Sequence, residues 1–563
     1  ARAQLRTMAS SSASKPGSIW GPPARRVEEL PDEDPRLIFK CPADTSAYRG
    51  AWQDRPMGPS PLEGIRFSYY NNSKTTYNSN ILQVILREHG FARVELPDDD
   101  WNIFWCAGQV NPAGLKYMKP HQRVNKFPKA SALTLKANLW TNYARMQRLF
   151  GEEAFNFMPT TFLIPSQLEQ LEAFIHASGH DGTDPTKVWI VKPAAAYCGR
   201  GITLHRSSPE MPEALLGQKG VASKYVDPPF LLDGLKSDIR IYVLVSSWHP
   251  LTVYQYCDGL ARFATEKYTL DDIDGRCAHL TNYSLNKNSA SFVNDDSEES
   301  GSKWSLAAFK RRLVLEIGEA KATEVWRQVD DLIVKIMVAV EPNMMEGIRQ
   351  HIPAVAAGAP NKQCFQIFGF DVMLDAHAKP WLLEVNLDPA LKTDSPLDLR
   401  IKSNMLVDLL NVVAVPIPPA QEEESEAWAG TRGGEPPGVS ATSSQGGVVA
   451  GVNVPGAMGA SEIAVSSHHS NKHDGLAGSG DNADGCDAVG RGGQADEGAG
   501  EAKVTESPEM VAQREAAILK HTNAEFRRSK LGGWRRLFPS NRTTEYLPFL
   551  DPSRKMHALP FDL

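Results

Sequence analysis

The stretch 368–386, FGFDVMLDAHAKPWLLEVN, constrains the chain more than any other. Phe370, Val372 and Leu374 alternate with Asp371 and Met373; Trp381, Leu383 and Val385 alternate with Leu382, Glu384 and Asn386. Alternation with period two marks a strand with one buried face. Ala376, His377, Ala378 and Lys379 lie between the two runs and suit a four-residue hairpin loop. A turn centred between His377 and Ala378 sets Leu374 against Trp381, Val372 against Leu383 and Phe370 against Val385 on one apolar face. The opposite face then carries Asp371 across from Glu384, with Asn386 next to Glu384 along the strand. Like charges directly opposite each other destabilise a sheet, so a cation is expected between them. Two carboxylates and a carboxamide are hard oxygen donors, of the kind that hold Mg2+ and leave positions open for water and phosphate. The alternative is a solvated hairpin face with scattered acids, and the upstream sequence decides against it.

At 563 residues, 42% hydrophobic and 23% charged, the composition is that of a globular protein with room for several domains. A net charge of −7 does not mark a nucleic-acid binder. The seven cysteines form no CxxC pair, and their scatter fits a reducing compartment. No run approaches the roughly 18 apolar residues of a membrane-spanning helix. Residues 1–26 hold Arg and Ser and no acid, which suits a disordered tail better than a transit peptide; the start at Ala1 rather than Met fits a fragment.

Along the chain, 65–70, 91–96 and 101–106 read as strands, and 78–89 as a helix stopped by Gly90. The segment 115–129 is rich in Lys and Arg, holds no acid and interleaves Tyr117 and Phe127. It is either a plain surface loop or a contact for a polyanion. Residues 130–150 read as a helix. In 187–204, KVWIVKPAAAYCGRGITL, an apolar strand ends at Lys192, Pro193 stops the ladder, and a small-residue loop with Gly199 and Gly201 leads into a second strand. Small side chains let backbone N–H groups approach phosphate oxygens, with Lys192 and Arg200 as point charges. Next come a short strand at 223–226 and LKSDIRIYVLV at 235–245, whose polar face of Asp238, Arg240 and Tyr242 needs partners: a ribose, a phosphate, a substrate carboxylate or one another. GLARFAT (259–265) sets Arg262 between apolar neighbours, and HLTNYSLNKNS (279–289) is a polar loop. An amphipathic helix over 321–340 is expected to end at Pro342, and 397–410 is helical and carries Lys402. From 416 to 505 Gly, Ala, Ser and acids dominate, as in a disordered linker, and His468, His469 and His473 within it read as solvated. Residues 525–539 are basic with Trp534, Leu537 and Phe538.

Taken in order, WIVKP…GRGI, LKSDIRIYV, GLARFAT, HLTNYS and FGFDVML…KPWLLEVN resemble the tubulin tyrosine ligase-like family of ATP-grasp amino-acid ligases, and within it the polyglutamylase branch. The resemblance covers roughly 64–413 and 507–549. It implies an α+β ATP-grasp fold. The expected divisions are a disordered tail (1–60), an N-terminal α/β subdomain (61–130), a central subdomain (131–245), a C-terminal subdomain with the Mg2+ site (246–415), a disordered linker (416–505) and a basic helical tail (506–550) able to bind tubulin. Lys192, Cys198, Gly199, Ser223, Lys224, Tyr225, Val226, Lys236, Asp238, Thr281 and Asn282 would bind ATP. Asp371, Glu384 and Asn386 would hold Mg2+. Arg262, Tyr283, Ser284, Lys303 and Lys402 would hold the incoming amino acid. Lys192, Arg200, Arg262 and Glu384 would carry the catalysis.

The implied reaction activates a carboxylate as an acyl phosphate, which asks mainly for positioning and charge neutralisation. Several cations around one amino acid suit L-glutamate better than glycine or tyrosine. The implied acceptor is a glutamate side chain in the acidic tail of tubulin, which places a monomeric enzyme at microtubules in the cytoplasm, with cilium and basal body following from the substrate. The alternatives are a glycine or tyrosine ligase of the same family, a non-catalytic microtubule-binding relative, or an ATP-grasp enzyme of small metabolites.

Overall fold

The computed structural model describes residues 35–562 apart from 51, 52, 54, 55, 63, 64, 73–79, 96–99, 178–186, 195–198, 294–298 and 419–506. Residues 1–34, nearly all of the expected linker with its three histidines, and Cys198 lie outside the described residues.

The first sheet is built from β1 (Phe67–Asn71), β2 (Phe91–Val94), β3 (Ile103–Trp105) and β4 (Arg123–Val124). It is parallel, in the order β2-β1-β3-β4. Between β1 and β2 runs α1 (Asn80–Glu88), which buries Ile81, Leu82, Val84, Ile85 and Leu86. Its stop at Gly90 is steric as well as conformational. Gly90 has φ +82°, and a Cβ there would lie 2.3 Å from the Pro59 carbonyl oxygen. Residues 35–48, expected to be unstructured, are part of this layer. Leu37, Phe39 and Tyr48 are buried, and the Leu37 N–H donates to Val415 O at 3.1 Å.

The second sheet is antiparallel: β5 (Thr161–Ile164), β6 (Val188–Pro193), β7 (Thr203–Arg206) and β8 (Gly220–Lys224), in the order β5-β8-β6-β7. Helix α2 (Lys136–Phe150) precedes it, and α3 (Leu168–Ala177) covers its inner face through Leu171 and Ile175 against Trp189, Val191 and Ala222.

The third and largest sheet has seven strands: β9 (Leu231–Leu232), β10 (Leu235–Trp248), β11 (Leu251–Phe263), β12 (Lys303–Ser305), β13 (Gln366–Leu374), β14 (Pro380–Asn386) and β15 (Trp534–Phe538). Its main path is β12-β11-β10-β13-β14, with β15 on β11 and β9 on β10. Strand β10 therefore belongs wholly to this sheet, and the expected boundary at 245 cuts through it. Helices α4 (Leu306–Ile317), α5 (Glu319–His351), α6 (Pro396–Val413) and α7 (Pro508–Ser529) complete this part of the α+β fold. Both faces of the sheet are covered. Ile239, Ile241, Val243 and Val245 of β10 join the core with Val329, Leu332 and Ile336 of α5; Tyr242 and Leu244 join the opposite core with Met405, Leu406 and Leu409 of α6. Asp238 and Arg240 share the parity of Tyr242 and so face the α6 side.

Pro342 does not end α5. A proline inside a helix costs about 3 kcal/mol, but Met344, Met345 and Ile348 beyond it are fully buried in the same core, at about 1.5–3 kcal/mol per side chain. Arg145 donates to the Ala339 carbonyl at 2.7 Å, in the turn the proline disturbs.

The expected basic tail is likewise part of the fold. Strand β15 pairs with β11, setting Val253 against Phe538 and Tyr256 against Trp534. The buried Trp534 donates to Met405 O at 3.3 Å, and Arg528 of α7 donates to Val412 O at 3.0 Å. Arg535 pairs with Asp330 at 2.7 Å, and Arg536 donates to the Asp562 carbonyl. Most cations of 115–129 are also engaged within the chain. Arg123 donates to Pro120 O at 2.9 Å, Lys126 pairs with Asp388 at 2.5 Å, and Lys129 pairs with Glu346 at 2.6 Å. Neither stretch is a free polycationic surface.

Replacing Trp534 with Ala empties a fully buried site and is expected to cost about 3–5 kcal/mol, read as a lower denaturant midpoint of the full chain. Deleting residues 507–563 exposes the β11 edge and the α6 face, so the truncated chain is expected not to fold. A soluble truncation that still binds nucleotide would show the segment to be dispensable.

Candidate active site

The β13–β14 hairpin forms one edge of the site. Gly369 pairs with Asn386, Phe370 with Val385 and Asp371 with Glu384. Between Asp371 and Val372 the register shifts, so that Val372 faces Leu382, Met373 faces Trp381 and Leu374 faces Pro380. The polar half is as the alternation predicts, and the turn half is slipped by one residue. The cause is a bulge at Leu383, the extra residue on β14. Leu382, not Leu383, enters the core, and the Leu383 carbonyl turns to accept from Lys192 Nζ at 3.3 Å. The connecting loop runs from 375 to 379. Asp375 Oδ1 accepts from the N–H groups of His377 and Lys379 at 2.9 and 3.0 Å, and Ala378 sits at φ +65°.

Asp371, Glu384 and Asn386 converge. Asn386 Nδ2 lies 3.3 Å from Asp371 Oδ2 and 3.4 Å from Glu384 Oε1. Two arginines bind Asp371 from the side away from its β14 partner Glu384, and neither lies between the two carboxylates as a contact to Glu384. Arg240 grips both Asp371 oxygens, Nε to Oδ1 at 2.5 Å and Nη2 to Oδ2 at 3.0 Å. Arg262 reaches Asp371 Oδ2 at 3.0 Å and binds Asp238 through Nε at 2.7 Å and through Nη2. Strand register imposes these partners: Arg240 stands directly across from Asp371 on β13, and Asp238 directly across from Arg262 on β11. Burial pushes the Asp371 carboxyl up, but Arg240 and Arg262 outweigh it and hold the group below the ordinary carboxylate range. Arg262, buried between two carboxylates, is held above its ordinary value because Asp238 and Asp371 outweigh desolvation.

The donor chemistry fits a hard divalent cation: two carboxylates and a carboxamide beside the cleft. Among the described residues no group of three His, Cys, Asp or Glu is placed to hold a metal, so the set depends on Asn386.

The cleft is open on one side, and the space within and in front of it, open solvent included, is about 810 Å³. Lys192, Ser223, Lys224, Tyr225 and Val226 line it from β6, β8 and the residues that follow, and Lys236, Asp238, Asp371 and Glu384 from the large sheet. Thr281 and Asn282 line it from the 279–289 loop. Met158, Ile190, Ile202 and Met373 give it an apolar part suited to a planar base. Burial pushes the Lys192 ammonium down, partly offset by Glu384. Lys236 is buried in the cleft wall, donating to Tyr225 Oη at 2.7 Å and His279 O at 2.9 Å, and burial takes it down to about 7. Gly199, at φ +74°, closes on Asn282, where an added Cβ would lie 2.7 Å from Oδ1. Arg276 holds the flap by donating to Gly199 O at 2.6 Å. Arg200 is exposed and is not among the residues lining the cleft.

The lysines expected to meet the amino acid form a cluster around Asp398. Lys303 on β12 is the cross-strand neighbour of Arg262. Lys303 and Lys402 both bind the Asp398 carboxylate, Lys402 at 2.8 Å, and the Lys303 ammonium lies 4.9 Å from the Tyr283 ring centroid. Ser284 follows Tyr283 in a short helix, Tyr283–Asn286.

Sequence reasoning left three site residues unassigned. Arg240 was visible only as a charge in need of a partner. Arg276 lies in a polar loop with no periodicity. Asp398 sits in SPLD at the start of α6, where the Ser395 cap accepts from its N–H at 3.2 Å, so it reads as an ordinary acid of a helix's first turn.

Gly199→Ala places a methyl against Asn282 and strains a positive φ, so nucleotide affinity measured by calorimetry is expected to fall about tenfold. Unchanged affinity would mean that the flap does not contact the nucleotide.

Residues 115–424, more than half of the chain, match the model of the tubulin-tyrosine ligase family. Over 341 residues the chain is 38% identical to tubulin polyglutamylase TTLL5 of Homo sapiens, covering 60% of this chain and 25% of that protein. It is 37% identical over 319 residues to tubulin polyglutamylase TTLL6 of Mus musculus, covering 56% and 37%. Against tubulin monoglutamylase TTLL4 of Mus musculus it is 33% identical over 389 residues, covering 68% and 31%. The match thus spans between a quarter and two fifths of these curated relatives. Its extent takes in the Lys192 strand, the crossed Arg–Asp pairs, the 279–289 loop and the β13–β14 hairpin, and the chain belongs to the tubulin-tyrosine ligase family.

Proposed function

We propose that the chain is an ATP- and Mg2+-dependent ligase that joins L-glutamate to glutamate side chains in the acidic tail of tubulin. The carrying observation is that Lys192, Lys236, Asp371 and Glu384 line one cleft while Lys303, one strand from Arg262, shares the Asp398 carboxylate with Lys402. The names of the three relatives support glutamate as the amino acid and tubulin as the acceptor.

Each group has work in such a reaction. Lys192 places positive charge where phosphates would lie, in a setting dry enough to strengthen it, and Lys236, taken down to about 7 by burial, would be drawn to its charged form by an anionic phosphate beside it. Gly199 brings backbone to the phosphates, and Ser223, Lys224, Tyr225 and Val226 offer the segment against which a base would lie, with Thr281 and Asn282 facing it. Asp371, Glu384 and Asn386 would hold Mg2+, which supplies charge neutralisation on the phosphates when bound. Arg262, Lys303 and Lys402 would hold the amino-acid carboxylates. No side-chain nucleophile is required. His279, which lines the cleft, has both ring nitrogens engaged, with Tyr225 Oη at 3.0 Å and Asp272 O at 2.9 Å, and would orient Tyr225 through its ring and Lys236 through its carbonyl. Arg200 would act only by swinging in from the flap. The proposed setting is the microtubule cytoskeleton, including cilia. No helix among the described residues is long and apolar enough to cross a membrane.

The test is mass spectrometry of tubulin tails after incubation with the full chain, ATP, Mg2+ and an equal mixture of glutamate, glycine and tyrosine. Branches carrying glutamate are expected; glycine or tyrosine adducts would replace the reading with a sister ligase, and binding without transfer would make the chain a non-catalytic relative. In the same assay Glu384→Gln is expected to cut transfer at least 100-fold, with the unfolding free energy, read by denaturant titration, within about 1 kcal/mol of wild type. Retained transfer would remove Glu384 from the metal site.

A further inference from the structure

Lys303 and Lys402 come from different elements, β12 and α6, yet their ammonium groups share one carboxylate. Asp398 is 3% exposed, and its place is fixed independently of them. Ser395 Oγ accepts from its backbone N–H at 3.2 Å and donates to its Oδ2 at 3.0 Å. Lys402 lies one turn on along α6 and is also tied to the Lys392 carbonyl. Lys303 leans over the Tyr283 ring. Each ammonium has three donors, so these contacts leave both lysines with N–H to spare. One carboxylate between two ammonium groups leaves a net charge of +1, which a single substrate carboxylate would match. The trio lies one strand from the expected metal-holding edge: Lys303 stands across from Arg262 in the β12–β11 register, and Arg262 holds Asp371.

We infer that Asp398 is a positioning residue for the incoming amino acid, acting through Lys303 and Lys402, which it holds together so that their remaining N–H groups bind one carboxylate of that amino acid. This rests on the ligase reading above. A buried like-charge pair needs a counter-ion to stay in place, and without one the two ammonium groups would separate and lose their common target. Burial pushes the Asp398 carboxyl up, but Lys402 and Lys303 outweigh it and keep the group below the usual carboxylate range, so it stays anionic near neutrality. A carboxylate that served only to cap α6 would need neither lysine, since Ser395 already takes the Asp398 N–H.

The experiment is a ligand-observed NMR titration of the full chain, with Mg2+ and a non-hydrolysable ATP analogue, against glutamate, glycine and tyrosine. Asp398→Asn is expected to weaken the amino acid that wild type binds by about tenfold or more, the loss of a charge-assisted contact, with nucleotide affinity within twofold. Adding Lys303→Gln to Asp398→Asn is expected to cost little more, because both changes disable one unit. Asp398→Glu keeps the charge and displaces it by one methylene, and is expected to lose less than Asp398→Asn; it also serves if the asparagine variant does not fold. Unchanged amino-acid affinity in both variants, additive losses in the double variant, or an equal loss of nucleotide affinity would overturn the proposal. Wild type binding glycine or tyrosine in place of glutamate would overturn the glutamate reading alone, with Asp398 then judged on the amino acid that binds. Wild type binding none of the three would overturn both.

Discussion

The site depends on two crossed ion pairs over three adjacent strands. Asp238 of β10 meets Arg262 of β11, Arg240 of β10 meets Asp371 of β13, and Arg262 reaches over to Asp371 as well. Four charges with low solvent exposure would be costly singly. Set opposite one another by strand register, they neutralise each other in a fixed geometry. The consequence for the hairpin is direct. Asp371 is anchored on the arginine side, and Glu384 and Asn386 stand on the other side of it, so the arginines fix one of the two facing carboxylates and leave Glu384 outside the network.

The scaffold makes that geometry stiff. Strand β10 runs from 235 to 248 at the centre of a sheet with a core on either face, and β13 is buried along its whole length. The paired charges sit towards the end of this rigid unit that faces the second sheet and its glycine flap. Lys192 joins the two sheets through the Leu383 carbonyl, an acceptor turned outward only because β14 carries a bulge. Helix α7 and β15, remote in sequence, brace the opposite part of the same sheet, and their arginines serve that packing.

Patterns that depend on nearest neighbours were legible in the sequence. The alternation over 368–386 yielded the pairing of Asp371 with Glu384 and the position of Asn386, and the alternation over 235–245 marked Asp238 and Arg240 as charges needing partners. What failed were judgements that need the third dimension. A bulge leaves no mark on alternation when both candidate residues, Leu382 and Leu383, are leucines. Pro342 reads as a stop unless one knows that Met344, Met345 and Ile348 re-enter the same core. The basic runs at 115–129 and 525–536 look like polyanion contacts until Asp388, Glu346 and Asp330 are seen beside them. Asp398 was hidden for a different reason: in the first turn of α6, three residues after the Ser395 cap, an acid is ordinary, and nothing in the sequence shows the two lysines it binds.

The central claim, that the crossed pairs hold the hairpin ready for a divalent ion, is tested most directly by Mn2+ binding, followed by electron paramagnetic resonance in the presence of a non-hydrolysable ATP analogue, in wild type and in Arg240→Gln. Wild type should bind the ion tightly, and loss of Arg240, which frees Asp371 on one side, should weaken binding by about tenfold or more. Equally tight binding in the two proteins would show that the hairpin holds its metal without the ion pairs, contradicting the account.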